Sequence, residues 1–254
     1  ATFATFQKQP DLRFTEFNFL HELLEGIEAS NYETATPVQE QVIPPILEGR
    51  DVIASAQTGT GKTAAFLLPV MNRLLKNHKD GHTGALIVVP TRELAIQVSD
   101  SFKAYGKYLP LKHHVIFGGV SQHAQVQTLA RGIDILVATP GRLIDLMNQR
   151  LLSLEQIKFF VLDEADRMLD MGFIHDVKRI IAKLPAQRQT LFFSATMSPE
   201  IQALSSSLLK NPVKVEATPP ASTVDLIDQS LYYVEKQDKK SLLIDLLSDP
   251  QIKT

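Results

Sequence analysis

The sequence predicts an α/β domain whose parallel sheet carries helices on both faces. Three observations predict it. Short apolar, β-rich runs recur along the first 217 residues, helical stretches lie between most of them, and the chemically distinctive residues fall just after the runs. Strands buried on both faces read as nearly continuous apolar runs, and helical crossovers join parallel neighbours. Ligands in such sheets bind beyond the carboxyl ends of the strands.

In chain order the expected strands are Val52-Ile53-Ala54, residues 85–89, Val115-Ile116-Phe117, residues 135–138, 159–162 and 190–193, and Val213-Lys214-Val215. Helical stretches occupy residues 63–76, 91–107 and 141–149. Composition then shifts at Ala217-Thr218-Pro219-Pro220-Ala221-Ser222-Thr223, which reads as a linker. The expected organisation is therefore a domain at 1–217, a linker at 218–226 and a further segment at 227–254. Within that segment, residues 227–234 resemble a strand and 241–247 a short helix. One strand and one helix cannot close a core, so the segment reads as the truncated start of a second domain. No internal repeat is visible.

At 44% hydrophobic and 21% charged, the 254 residues can bury a full core. No apolar run reaches membrane-spanning length and no signal pattern opens the chain, so no membrane partner is expected. Cysteine is absent, which excludes disulfides and thiolate metal sites and is compatible with a cytoplasmic location. The net charge of −2 counts against a broad basic face for nucleic acid. It leaves room for a few arginines and backbone amides.

Ala56-Gln57-Thr58-Gly59-Thr60-Gly61-Lys62-Thr63 has the form of a phosphate-binding loop. Its backbone N–H groups and the following helix N-terminus suit a β-phosphate, Lys62 suits the β/γ oxygens, and the Thr63 hydroxyl suits Mg²⁺. Ala56 stands where the strict pattern has glycine. The bland alternative is a Gly/Thr-rich turn that merely starts a helix. A hundred residues on, Phe159-Phe160-Val161-Leu162 runs into Asp163-Glu164-Ala165-Asp166. Asp163 is placed to hold a metal and Glu164 to orient an attacking water. An acidic cluster complementing a helix dipole would also produce such a pair. It explains less well the buried run before the pair and the phosphate loop that matches it.

With these motifs in order, the chain resembles the N-terminal RecA-like P-loop domain of a bacterial-type DEAD-box ATP-dependent RNA helicase, from Phe14 to about Ala217. The resemblance implies ATP and Mg²⁺ as ligands. It also implies an adenine-reading Q motif, at about residues 12–40, in Asn31-Tyr32-Glu33-Thr34-Ala35-Thr36-Pro37-Val38-Gln39. Gln39 would pair with the adenine edge and Phe14 would stack on the ring. Locally, Thr36-Pro37-Val38-Gln39 is also a capping box in which Gln39 reaches back to the N-cap, and the two roles compete for one amide. Asn31 replaces a usual glycine, which the left-handed tolerance of asparagine permits. Ala35 replaces a usual proline.

Pro90-Thr91-Arg92, Gly118-Gly119 and Thr139-Pro140-Gly141-Arg142 resemble the family's RNA-backbone motifs. Thr91 and Thr139 can each cap a helix whose free N–H groups offer a phosphate site, and Arg92 and Arg142 add charge. Ordinary capping beside exposed arginines is the alternative for either segment alone. Contacts of this kind carry no base sequence. Ser194-Ala195-Thr196 resembles the coupling motif that links nucleotide to RNA through Asp166; a simple strand terminus is its local alternative. His78 and His82 flank a turn, and the adjacent His113 and His114 point oppositely from a strand, so zinc is not expected.

The resemblance implies an enzyme that hydrolyses ATP and unwinds short RNA duplexes once joined in cis to a second RecA-like domain. Because the family's charge-stabilising arginines come from that second domain, residues 1–254 alone are expected to be nearly inactive. The alternative is a nucleotide-gated RNA- or partner-binding module without catalysis.

Overall fold

The computed structural model describes residues 12–76, 83–216 and 230–248. The chain divides into two compact units, Ala1–Thr218 and Pro219–Thr254. Residues 218–226, expected as a linker, and the His78/His82 pair lie outside the described residues.

In the first unit the described strands are β1 (Val52–Ser55), β2 (Ala85–Val88), β3 (His113–Ile116), β4 (Ile135–Ala138), β5 (Phe159–Leu162), β6 (Gln189–Ser194) and β7 (Val213–Glu216). They pair in the order β3-β4-β2-β5-β6-β1-β7, every pair parallel. The helices are α1 (His21–Glu28), α2 (Pro37–Leu47), α3 (Lys62–Lys76), α4 (Arg92–Tyr105), α5 (Gln122–Ala130), α6 (Pro140–Asn148), α7 (Ala165–Asp170), α8 (Ile174–Ile181) and α9 (Pro199–Leu208). Each expected strand and helix of this unit is present, its ends shifted by up to two residues. Helices α1, α5 and α8 were not expected.

Successive strand residues face opposite ways, which sorts the sheet's side chains into two cores. Ala85, Ile87, Phe159 and Val161 join the core beneath α1 to α4, whereas Leu86, Val88, Phe160 and Leu162 join the one beneath α6 to α9, with α5 packed at its margin. The sheet is thus apolar on both sides, as the uninterrupted runs require. Because every strand points the same way, Ser55, Val88, Ala138, Leu162 and Ser194 end on one rim, where α3, α4, α6 and α7 begin.

In the second unit α10 (Lys239–Leu247) covers the expected helix at 241–247. The expected strand at 227–234 is not formed over its described part, residues 230–234. A strand exists only through a neighbour that takes its backbone hydrogen bonds, and Leu231, Tyr232 and Tyr233 of this stretch are exposed instead.

Candidate functional site

The loop from Ala56 to Thr63 leaves β1 and becomes α3. Its left-handed turns fall at Gly59 (φ +88°) and Gly61 (φ +92°). Ala56 is absent from the left-handed set, so a Cβ is tolerated there. Its N–H donates to the Ser194 carbonyl at 3.1 Å, so this amide binds the sheet and leaves phosphate to the others. Gly61 has a second constraint: a Cβ would come within 2.5 Å of Gln39 Nε2. Gln57, Thr58 and Gly59 are exposed, and the Thr60 hydroxyl closes the turn on the Gln57 carbonyl at 2.8 Å. Lys62 is buried, and its Nζ has no hydrogen-bond partner among the described residues. An ammonium withdrawn from water needs an anion. A triphosphate is one, and the half-buried Thr63 follows directly.

Across the rim, the acidic pair leaves β5. Glu164 stands in the left-handed region (φ 54°, ψ 51°) at the N-cap of α7, a conformation costing a non-glycine residue about 1 kcal/mol or more. Thr58 Oγ1 donates to Glu164 Oε1 at 3.5 Å, so loop and acidic pair meet. Arg167 holds the other oxygen of Glu164 at 3.2 Å. Asp163 accepts the Glu164 N–H at 2.9 Å and is buried. Burial pushes its carboxyl up to about 6, against the pull of the Lys62 charge, with Glu164 pushing further upward.

An acid whose pKa rises on folding holds more protons folded than unfolded, so its contribution to stability falls as pH rises from about 4 to about 6. Ionised Asp163 therefore destabilises the ligand-free chain at neutral pH. Asp163→Asn is expected to stabilise that chain by roughly 1–3 kcal/mol at about pH 7.5 and by little at about pH 4. Thermal unfolding at the two pH values checks this; equal shifts at both would refute it.

Asp166, in the first turn of α7, bridges to the end of β6. Its Oδ2 accepts from the Ala195 N–H (3.1 Å), the Thr196 N–H (2.8 Å) and the Thr196 hydroxyl (3.1 Å). Ser194 Oγ accepts the Asp166 N–H at 3.2 Å and donates to the Thr196 carbonyl at 2.8 Å. Burial alone would raise the Asp166 carboxyl, but these hydrogen bonds outweigh it and hold the group below its ordinary value. Ser194 and Thr196 are thus tied to the acidic helix.

The Gln39 amide serves two partners at once. Its Oε1 accepts the Thr36 N–H at 2.9 Å, completing the capping box, while its Nε2 donates to the Gly61 carbonyl at 3.1 Å. Thr36 Oγ1 donates to the Thr60 carbonyl at 2.9 Å. In this conformation Gln39 is fully buried and clamps the phosphate loop. Phe14 is also buried, its ring 5.9 Å from Phe17 and 6.0 Å from Tyr32, so it packs the entry segment rather than presenting an open face. Asn31 adopts φ 57°, the left-handed state expected of it.

Beyond β2 and β4, a cleft of about 600 Å³ gathers Pro90, Thr91, Arg92, Gly118, Thr139, Gly141 and Arg142 from three separate loops. Gly119 adjoins it at φ +80° with open space around it, while Pro140 is buried as the first residue of α6. Thr91 Oγ1 caps α4 by accepting the Leu94 N–H at 3.3 Å. Thr139 sits at the N-cap of α6 in extended conformation but makes no side-chain cap bond, so capping does not consume its hydroxyl. Arg92 is exposed and lies over the Phe117 ring at 4.8 Å. Arg142 has partners that its motif did not announce. Its guanidinium binds Gln125 Oε1 (3.0 Å), the Val120 carbonyl (2.9 Å) and Asp145 (3.8 Å), anchoring the glycine turn and α5. Sequence reasoning missed Gln125, Phe117 and Arg167, and it named Thr36 as a helix cap without its bond to the phosphate loop. Of the three missed residues only Arg167 carried a signal, a cation one helical turn after Glu164.

A protein-family model described as DEAD/DEAH box helicase matches residues 36–204. The ATP-dependent RNA helicase CshA of Limosilactobacillus reuteri is 45% identical over 246 residues, covering 95% of this chain and 48% of that protein. The ATP-dependent RNA helicase vasa of Drosophila melanogaster is 41% identical over 95% of this chain and 37% of its own length. The chain thus spans less than half of these curated relatives. A crystal structure of a DEAD box protein from the hyperthermophile Methanococcus jannaschii superposes with a TM-score of 0.78 at 36% identity, over 94% of this chain and 64% of that one. The RecA-like α/β architecture is shared with it. Since the matched span runs from Thr36 through the phosphate loop and the acidic pair to the Ser194 turn, the chain belongs to the DEAD/DEAH box helicase family.

Proposed function

We propose that this chain is the ATP-binding, N-terminal half of an ATP-dependent RNA helicase, completed in cis by a second RecA-like domain that begins near residue 227. The observation that carries the reading is the meeting, on one rim, of a buried acidic pair and a buried Lys62 whose Nζ has no hydrogen-bond partner among the described residues, with a cleft built from three loop termini on the same rim. Lys62 and the loop amides would hold the triphosphate. Asp163, whose buried carboxylate lacks solvent, and the Thr63 hydroxyl would hold Mg²⁺, which would supply neutralising charge to the phosphates. Glu164, released from Thr58 and Arg167, would orient water in line with the γ-phosphate. The Asp166 bracket would convey nucleotide state to Ser194-Ala195-Thr196. Gln39 would meet the adenine edge once its amide exchanges a protein partner for the base, and Phe14 would stack on the ring once its packing on Phe17 and Tyr32 opens.

RNA would lie in the cleft by its backbone, with Arg92 as the exposed cation and Thr91, Thr139 and the helix N-termini as donors. Domain closure around both ligands would then separate a short duplex locally. The proposed compartment is the cytoplasm. Arg92→Ala is expected to lower affinity for single-stranded RNA by about tenfold, the worth of one charge-assisted contact. Nucleotide affinity should stay unchanged. Anisotropy of labelled RNA, read beside fluorescent-nucleotide binding, tests this, and unaltered RNA affinity would sink the assignment of the cleft.

A further inference from the structure

A second cavity opens on the opposite rim, at the amino ends of the strands. It encloses about 500 Å³ and is lined by Gly49, Arg73, Lys158, Phe159, Arg188 and Gln189, among others. Phe159 and Gln189 are the first residues of β5 and β6, whose far ends carry the acidic pair and Ser194. A strand's length of roughly 10–20 Å separates the two sites.

Three cations face this space, and no acidic residue lines it among the described residues. That concentration is local, since the chain as a whole carries a net charge of −2. Arg73 is fixed in place: its guanidinium lies 5.1 Å over the Phe159 ring, donates to the Ile46 carbonyl at 3.0 Å and contacts Gln189. Gln189 is held in turn by the Ile46 and Arg50 carbonyls at 3.1 and 2.6 Å. Arg188 has one anchor, Nη1 to the Pro185 carbonyl at 2.7 Å, and its Nε is buried without a partner among the described residues. Asp51, the carboxylate whose charge reaches Arg188, already accepts the Thr190 and Lys210 N–H groups at 2.8 and 2.7 Å. Burial depresses both arginines below their ordinary value, the mark of cations short of solvent. Lys158 is exposed at the mouth.

The geometry points to a phosphate-binding site in this cavity, distinct from the nucleotide loop, in which Arg188 and Lys158 grip a phosphomonoester beside the fixed Arg73. The cavity falls within the usual range for small-ligand sites, about 300–1,000 Å³. Arg188 and Lys158 together carry more positive charge than the one nearby carboxylate, already engaged by two N–H groups, can offset. A phosphomonoester brings about −1.5 to −2 charges and three acceptor oxygens, a match to a guanidinium fork plus an ammonium. The same chemistry reaches the protein from free phosphate compounds or from the 5′-terminal phosphate of a nucleic acid.

Amide NMR shifts of the ¹⁵N-labelled chain during titration with inorganic phosphate and pyrophosphate test the assignment. Saturable shifts are expected at Gly49, Lys158 and Gln189. They should persist in Lys62→Ala, which removes binding at the loop, and weaken about tenfold in Lys158→Gln and in Arg188→Gln. Arg188→Lys should recover part of the loss, and thermal melts should confirm that each variant folds. Shifts with a 5′-phosphorylated RNA oligonucleotide but not its 5′-hydroxyl form would assign the nucleic-acid source; shifts with phosphate and nucleoside monophosphates alone would assign the free one. The proposal is overturned by absent shifts, by shifts that survive in a folded Lys158→Gln/Arg188→Gln double variant, or by an equal response to a carboxylate-rich peptide.

Discussion

Lys62→Ala is expected to lower affinity for ATP and ADP by about a hundredfold or more, with no loss of stability in the ligand-free chain. Two charge-assisted contacts to phosphate oxygens, at roughly 1.5–3 kcal/mol each, supply that factor. The second half of the prediction separates this lysine from an ordinary core residue. Its Nζ is buried and forms no hydrogen bond among the described residues, so the folded chain gains little from it before a ligand arrives. Losing the ammonium also removes the neighbouring charge that lowers the Asp163 carboxyl, which should then titrate above about 6; the stability this costs at neutral pH is offset by no longer burying an ammonium. Fluorescent-ADP titration and thermal unfolding, read together, check the pair of effects. A marked drop in ligand-free melting temperature would show that Lys62 is structural and that its environment has been misread.

The rim bearing the nucleotide motifs was legible in sequence because its logic is one-dimensional. Apolar runs such as Phe159-Phe160-Val161-Leu162 end where polar residues begin, and a parallel sheet collects those ends. The Q motif was not legible in the same way. Sequence posed adenine reading and helix capping as rivals for the Gln39 amide. The structure shows that oxygen and nitrogen serve separate partners, Thr36 and Gly61, which places Gln39 in contact with the phosphate loop. The anchoring bonds of Arg142 were not legible for a related reason. A motif names a residue type, whereas the partners that occupy its guanidinium, Gln125 and the Val120 carbonyl, lie on another segment. Helix α5 escaped notice because the apolar residues of Gln122–Ala130 are scattered around the helix instead of lining one face, and only Gln125 is buried. The distal basic cavity had no sequence signature, since Arg73, Lys158 and Arg188 meet only through the fold.

Residues 1–254 alone should bind nucleotide yet hydrolyse it slowly, at about a thousandth or less of the rate reached when an arginine is presented to the γ-phosphate. Among the described residues, the arginine in contact with the acidic pair is Arg167, and its guanidinium is spent on Glu164 at 3.2 Å. That contact opposes catalysis. It holds the group proposed to orient water, and Thr58 holds the other carboxylate oxygen. Two changes are therefore required before turnover: release of Glu164, and delivery of a cation that faces the transferring phosphoryl group. A second RecA-like domain closing over the rim would supply the cation, and RNA in the neighbouring cleft would favour closure. Steady-state phosphate release should accordingly be insensitive to RNA for this chain alone. It should become RNA-dependent when the remaining half of a relative such as CshA is added at high concentration. Arg167→Ala frees Glu164 without supplying the cation, so it should not restore turnover by itself. Robust RNA-stimulated hydrolysis by residues 1–254 unaided would mean that the chain completes its own transition-state site, and the two-half reading of its function would fall.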